Sequence, residues 1–218
     1  RFFSECYGDH RDLHSFPTRR SSDLNIPHCF SRKIFGRRCR IAQISTTYQQ
    51  LIIHLCLMLN LTLELNSLET TEYVARKMAE HLFQGSIMLF WGDMGSGKTT
   101  FIKSLCSGLG VLPDKVTSPT YTLVNIYKCN WCIFHVDLFR LTAPEQLYDM
   151  DRADLIADQG VTMVEWPQML QNYLTDEPVL NLRFKSVSDH HRRLILETES
   201  SEFDILFNTM EQQNLSCG

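Results

Sequence analysis

The chain of 218 residues lacks an apolar run long enough to cross a bilayer as a helix. Its longest, Leu51 to Leu59, is interrupted by His54 and falls well short of the roughly 18 residues a span needs. That excludes a helical membrane protein. Proline and glycine are scarce, 7 and 10 in all, which excludes collagen-like and linker-dominated chains. No basic n-region, apolar h-region and cleavage site follow one another at the N-terminus, so no feature there points to secretion. Eight cysteines (Cys6, Cys29, Cys39, Cys56, Cys106, Cys129, Cys132 and Cys217) form no framework, in a chain large enough to fold without staples. The expectation is a reducing compartment, the cytoplasm. With 44% hydrophobic and 21% charged residues, a packed core is feasible and wholesale disorder is not expected.

Charge is present, but unevenly. Residues 1–57 carry nine Lys and Arg against four Asp and Glu, whereas the rest of the chain is acidic. A basic arm for nucleic acid is one reading, but these residues follow no helical or strand period. The run His14-Ser-Phe-Pro-Thr-Arg-Arg-Ser-Ser-Asp-Leu24 instead resembles the in-frame translation of a sequencing-adapter oligonucleotide. Residues 1–57 are therefore expected to be a non-native or disordered extension, with the native protein starting at Met58. They are set aside like any fusion scar. The folded domain is expected over residues 58–200, followed by a tail, 201–218.

Leu59, Leu61, Leu63 and Leu65 alternate with polar residues, the period of a half-buried strand. Ser67 is placed to cap a helix over Glu69–Leu82 with Tyr73/Val74, Met78 and Leu82 on one face, closed by Gly85. Ile87–Trp91 is a short apolar run suited to a buried parallel strand. Thr100–Leu109 has helical spacing before Gly110. Ile133–Val136 and Val161–Val164 read as core strands, Pro144–Ala157 as a helix between them, and Val179–Phe184 with Arg193–Thr198 as a terminal hairpin. Strands alternating with helices predict an α/β fold, a mainly parallel sheet flanked by helices and ending in an antiparallel hairpin.

Between the Ile87–Trp91 strand and the following helix lies Gly92-Asp93-Met94-Gly95-Ser96-Gly97-Lys98-Thr99, followed by Thr100. This matches the phosphate-binding P-loop in full and in the required context. Glycines let the loop curl so that amides point at phosphate oxygens, and the helix N-terminus adds partial positive charge. Lys98 is expected on the β- and γ-phosphates, and Thr99 on Mg²⁺. Such a site needs a carboxylate at a neighbouring strand end. Asp137 and Glu165 both qualify, and spacing does not rank them. No Asn-Lys-x-Asp string for reading guanine occurs, which favours ATP.

Together with Ser118-Pro-Thr-Tyr-Thr-Leu-Val124, His135-Val-Asp-Leu-Phe-Arg-Leu141 and Glu165-Trp-Pro167, this loop resembles the motifs of the bacterial TsaE (YjeE) family, in the family's order, over about residues 58–200. The resemblance implies a P-loop ATPase that supports synthesis of N6-threonylcarbamoyladenosine on tRNA. It implies Mg·ATP as ligand and TsaB- and TsaD-like proteins as partners, with slow hydrolysis outside that complex. It further implies that Lys98 binds phosphate, Thr99 and Glu165 serve Mg²⁺, and Asp137 is the catalytic carboxylate. Ser118, Thr120 and Thr122 would lie in a switch that senses the γ-phosphate, a role a threonine hydroxyl suits because a charged phosphate can order its loop. Phe139 stands where the family has tyrosine, and Asp151 where relatives often have glycine.

Other features have quieter readings. Cys129-Asn-Trp-Cys132 lacks the second ligand pair that zinc needs and is expected in a hairpin-like turn. His135 reads as a core or subsite residue, Trp166 as core or as a wall near nucleotide or partner. His190-His191-Arg192-Arg193 reads as a solvated turn that could also dock tRNA or a partner. Arg140 is the nearest cis candidate for a catalytic arginine. Two alternatives stand beside the ATPase: a small-molecule P-loop kinase, for which residues 101–160 supply only Arg140 and Arg152 as lid arginines, and a nucleotide-gated binding module with incidental turnover. Resequencing the locus checks the reading of the N-terminal stretch. Codons 14–24 are expected to be missing from the genomic frame, and an uninterrupted natural frame through them overturns it.

Overall fold

A computed structural model of the protein describes residues 58–170, 173–174 and 177–216. The expectations for residues 1–57 lie outside them. The Leu59–Leu65 alternation forms strand β1, and Ser67 caps helix α1 (Leu68–Ala79) by accepting the Thr70 amide at 3.1 Å. The helix ends three residues earlier than its periodicity suggested, and Tyr73 is exposed. Ala75, Met78 and Ala79 make its buried stripe, and Leu82 is buried just beyond its end. Strand β2 (Ile87–Trp91) leads through the glycine loop directly into α2 (Lys98–Gly108).

Strands β3 (Val124–Lys128) and β4 (Cys132–Asp137) are antiparallel, with Cys129 to Trp131 at their turn. The Cys-x-x-Cys pair thus spans a hairpin, and no disulfide joins Cys106, Cys129 or Cys132. Burial pushes the Cys106 thiol up to about 12, which leaves it unreactive. The single helix expected over Pro144–Ala157 is not formed. It is divided into α3 (Glu145–Tyr148) and α4 (Arg152–Leu155). The physical reason is Asp151: its backbone is extended at φ −68° and ψ 133°, and its carboxylate accepts the Ala153 amide, so it ends one turn and caps the next.

Strand β5 (Gly160–Glu165) is buried along its whole length, and β6 (Val179–Ser186) with β7 (Arg192–Thr198) makes the terminal hairpin. The seven strands form one sheet in the order β1-β7-β6-β2-β5-β4-β3. Its four central strands are parallel, and antiparallel pairs flank them on both sides, β1 and β7 joining β6, and β3 joining β4. The sheet is thus mixed, its parallel part confined to the middle. Gly160 fixes the β4–β5 approach: a Cβ there would lie 2.0 Å from the Cys132 carbonyl oxygen.

One face of the sheet packs against α1 and α2 through Met88, Phe90, Phe101 and Leu105. The other carries Leu89, Val136 and Val164 against Leu147 and Leu155 of the short helices. The segment set apart as a tail is structured from Ser201 onward. A 3₁₀ turn (Ser201–Phe203) runs into α5 (Asp204–Ser216). Phe203, Leu206, Phe207 and Met210 are buried on the α1 side, and the Phe203 ring stacks obliquely on Phe83 with centroids 5.1 Å apart. Phe203→Ala is therefore expected to cost about 3–5 kcal/mol, read as a lower urea midpoint with unchanged m-value, as large-to-small core changes do. An unchanged midpoint would make the segment dispensable.

Candidate functional site

The site lies at the C-terminal ends of β2, β5 and β4, where open parallel sheets place their ligands. Three glycines of the loop have left-handed or otherwise positive φ: Gly92 at 138°, Gly95 at 77° and Gly97 at 101°. They differ in what they leave open. A Cβ on Gly92 would strike the Phe184 carbonyl oxygen at 2.7 Å, so this glycine lets the loop press against β6. A Cβ on Gly95 or Gly97 would meet nothing within 4 Å. Those two leave a backbone-lined cradle facing the cleft, with α2 starting immediately after it.

Met94, Gly95, Gly97, Lys98, Thr99 and Thr100 line one side of a cleft of about 430 Å³. Ser118, Thr120, Asp137, Phe139, Glu165 and Trp166 line the other. Four residues singled out by the motifs, Gly92, Asp93, Ser96 and Thr122, do not line it. Gly92 lies against β6, and Asp93 is exposed. Ser96 is buried, with its hydroxyl lacking a partner. Thr122 hydrogen-bonds Asn125 Oδ1 at 2.8 Å and does not line the cleft.

Lys98 is almost fully buried. Its ammonium donates to the carbonyls of Gly92 and Asp93, both at 2.8 Å, and sits 4.2 Å from the centre of the Trp166 ring. Burial pushes its pKa below the ordinary lysine value, while the charges of Glu165, Asp137 and Asp93 pull it back up. Thr99 donates its hydroxyl to Glu165, 2.8 Å from Oε1 and 3.0 Å from Oε2. His135, fully buried, approaches the same Oε1 with Nε2 at 3.0 Å. A carboxylate only accepts, so Nε2 carries the hydrogen, and Nδ1 is left without a partner. His135 is therefore a residue of the site, which motif reading left among core or subsite positions. A visible signal existed: His135 and Asp137 are two apart on one strand and so share a face.

Asp137 is equally engaged. Thr120 Oγ1 donates to Oδ2 at 2.6 Å, and the Phe139 amide donates to Oδ1 at 2.9 Å. Ser118 pairs with Thr120 at 2.7 Å, so the two hydroxyls and the carboxylate form one chain. Phe139 contributes its amide and a ring 5.0 Å from Trp166, neither of which needs the hydroxyl that tyrosine would add. Trp166 itself has φ 57° and ψ 56°, a left-handed conformation rare for a large residue, which turns its ring over Lys98. Arg140 lies 5.9 Å from the Tyr121 ring and does not line the cleft.

The donor set fits a magnesium–phosphate group. Among the described residues no cluster of three or more His, Cys, Asp or Glu could cage a metal alone. Thr99 and Glu165 instead offer a hydroxyl and a carboxylate, oxygen donors of the kind that would suit Mg²⁺ were phosphates and water to complete its shell. Among the described residues no helix is long and apolar enough to cross a membrane.

A family model described as "Threonylcarbamoyl adenosine biosynthesis protein TsaE" matches residues 65–195. Among similar proteins, the tRNA threonylcarbamoyladenosine biosynthesis protein TsaE of Rickettsia typhi is 29% identical over 143 residues, 65% of this chain and 98% of that protein. The protein of the same name from Bacillus subtilis is 27% identical over 147 residues, 67% of this chain and 90% of that protein. That of Borreliella burgdorferi is 36% identical over 105 residues, 47% of this chain and 75% of that protein. The crystal structure of Bacillus subtilis YdiB superposes with a TM-score of 0.55 at 23% identity, covering 72% of this chain and 97% of that one, a likeness of fold. The match spans the glycine loop, the Ser118–Val124 segment and both strand-end carboxylates, and the chain belongs to the TsaE family of tRNA threonylcarbamoyladenosine biosynthesis proteins.

Proposed function

We propose that the protein binds Mg·ATP in the cleft beside the glycine loop and hydrolyses it slowly in the cytoplasm. Hydrolysis would drive a cycle of association with TsaB- and TsaD-like proteins that carry out threonylcarbamoylation of tRNA. One observation carries the reading: Lys98, Thr99, Glu165 and Asp137 converge on a cradle that only glycine leaves open.

Each residue has a distinct task. The open space beside the Gly95 and Gly97 backbone would let the phosphate chain approach their amides closely. Lys98 would exchange two neutral carbonyl acceptors for phosphate oxygens, a stronger charge-assisted contact. Thr99 would turn its hydroxyl from Glu165 toward the metal, and Glu165, kept in place by His135, would hold the metal's water shell. Bound Mg²⁺ supplies Lewis acidity and neutralises charge building on the phosphates. Asp137 would orient the attacking water. The oxygen of that water would bond to the γ-phosphorus while the bond to the β–γ bridging oxygen breaks, ADP leaving with the electron pair and the water's proton passing to the phosphate released.

Thr120 takes one of the acceptor positions of Asp137 Oδ2. A γ-phosphate that drew this hydroxyl away would free the position for water and couple hydrolysis to the conformation of residues 118–124. A partner that holds that segment would then set the rate. A kinase reading gains no support here, because among the described residues neither Arg140 nor Arg152 lines the cleft.

Two outcomes test the proposal. Lys98→Ala is expected to lower ATP affinity about tenfold to a hundredfold by calorimetry, the worth of hydrogen bonds from a charged donor. Retained affinity would remove the phosphate site. Asp137→Asn is expected to lower phosphate release about 10²- to 10⁴-fold, while Mg·ATP affinity stays within a few fold. If release persists at the parental rate, with or without the partner proteins, Asp137 is not the catalytic carboxylate and the nucleotide acts only as a gate.

A further inference from the structure

Strand β3 ends the sheet and, among the described residues, pairs only with β4. The register fixes which of its residues face outward. The Asp137 amide donates to the Leu123 carbonyl at 2.9 Å, and past the other end the Cys129 amide donates to the Trp131 carbonyl at 3.1 Å. Both bonds continue the β3–β4 ladder on odd-numbered residues of β3 and its flanks. Asn125 and Tyr127 therefore turn their N–H and C=O groups toward β4, and Val124 and Ile126 turn theirs away. Among the described residues no hydrogen bond reaches those four outward groups. Sheet edges are usually blunted by charge, proline or a bulge. From Val124 to Tyr127 the edge has no charged residue and no proline.

We infer that β3 is a docking edge, and that its occupant is an extended segment of a partner protein, added as a further strand with apolar residues at alternate positions. Size argues against a second copy. The strand has five residues, and two copies joined along it alone would bury less than the roughly 1,000 Å² that a stable interface needs. The two faces of β3 set the pattern of the occupant. Val124 and Ile126 pack, half-buried, with the core on the side of α3 and α4, and apolar residues of an added strand would extend that layer. The other face is already covered by Thr117. Its N–H donates to the Tyr127 hydroxyl at 3.2 Å, and its carbonyl accepts from that hydroxyl at 3.0 Å and from Asn125 Nδ2 at 3.1 Å.

Position in the chain gives such docking a consequence. Residues 118–124 run into β3 without a break. Leu123, at φ 67°, donates its amide to the Pro119 carbonyl at 2.7 Å while its own carbonyl holds the Asp137 amide. A strand that fixes Val124 thus also fixes the turn that brings Thr120 to Asp137. The docking stands on the sheet geometry, whereas its effect on turnover rests on the Mg·ATP reading above.

The test uses the full chain with Mg·ATP and the TsaB- and TsaD-like proteins proposed above. Hydrogen exchange resolved to single amides is expected to slow about tenfold or more at Val124 and Ile126 when the partners are added, with little change at Asn125 and Tyr127, which β4 already protects. Ile126→Pro removes an outward N–H and leaves the β4 ladder intact, whereas Ile126→Ala trims the side chain alone. The proline variant is expected to bind the partners about tenfold more weakly than the alanine variant, with Mg·ATP affinity of the isolated chain within about twofold of the parent. Equal binding by the two variants overturns the inference. So does unchanged exchange at Val124 and Ile126 in the partner-bound parent, a result that needs no variant to fold. Slowing that instead follows the concentration of the chain alone assigns the edge to a second copy and overturns it as well. A parent that binds Mg·ATP but not these proteins overturns the docking and leaves the nucleotide site standing. Slowed exchange in a parent that binds no Mg·ATP supports the docking and overturns the Mg·ATP reading.

Discussion

Two carboxylates buried side by side set the terms for the rest of the site. In the parallel register of β4 and β5, Asp137 is the direct partner of Glu165, so two acids end adjacent strands on one face, each almost wholly buried. Charges so placed are costly unless every oxygen finds a donor. The surrounding chain supplies them: Thr99 and His135 for Glu165, Thr120 and the Phe139 amide for Asp137. Each donor comes from a different part of the sequence. The first turn of α2, the middle of β4, the loop before β3 and the loop after β4 are thereby tied to one point.

That arrangement makes the site a junction between the rigid and the adaptable. Glu165 and His135 sit on the most buried strands of the sheet and are oriented from beneath. Thr120 and Ser118 reach the site from a segment whose neighbours Tyr121 and Thr122 are exposed or bonded locally. A hydroxyl in such a segment can trade one acceptor for another at little cost, whereas the strand-borne acids cannot move without disrupting the sheet. On the proposed Mg·ATP reading, chemistry and control would be physically separable, although they share a hydrogen bond.

Much of this could be read before any coordinates. The strand, glycine loop and helix over residues 87–109 announce themselves because local periodicity and turn chemistry agree there, and strand ends deliver Asp137 and Glu165 where loop chemistry needs them. Elsewhere local cues conflict. The helical pattern from Pro144 to Ala157 hid a break, because Asp151 is compatible with a helix interior by period but competes for backbone amides through its side chain. The final helix is legible in the spacing of Phe203, Leu206, Phe207 and Met210, which a domain boundary at residue 200 leaves outside the fold. What no local pattern carries is the pairing of β1 with β7, more than a hundred residues apart, and with it the neighbourhood of Arg192 and Leu65. His135 likewise becomes part of the site only through a contact across strands.

The contact between Lys98 and Trp166 has an experimental side. An indole ring stacked on a buried ammonium emits differently when that cation shifts toward an anion, so the tryptophan is a natural optical gauge of the loop. The same contact means that exchanging Lys98 for arginine is no conservative change. The wider, planar group would need room that the ring, set by its left-handed backbone, already fills.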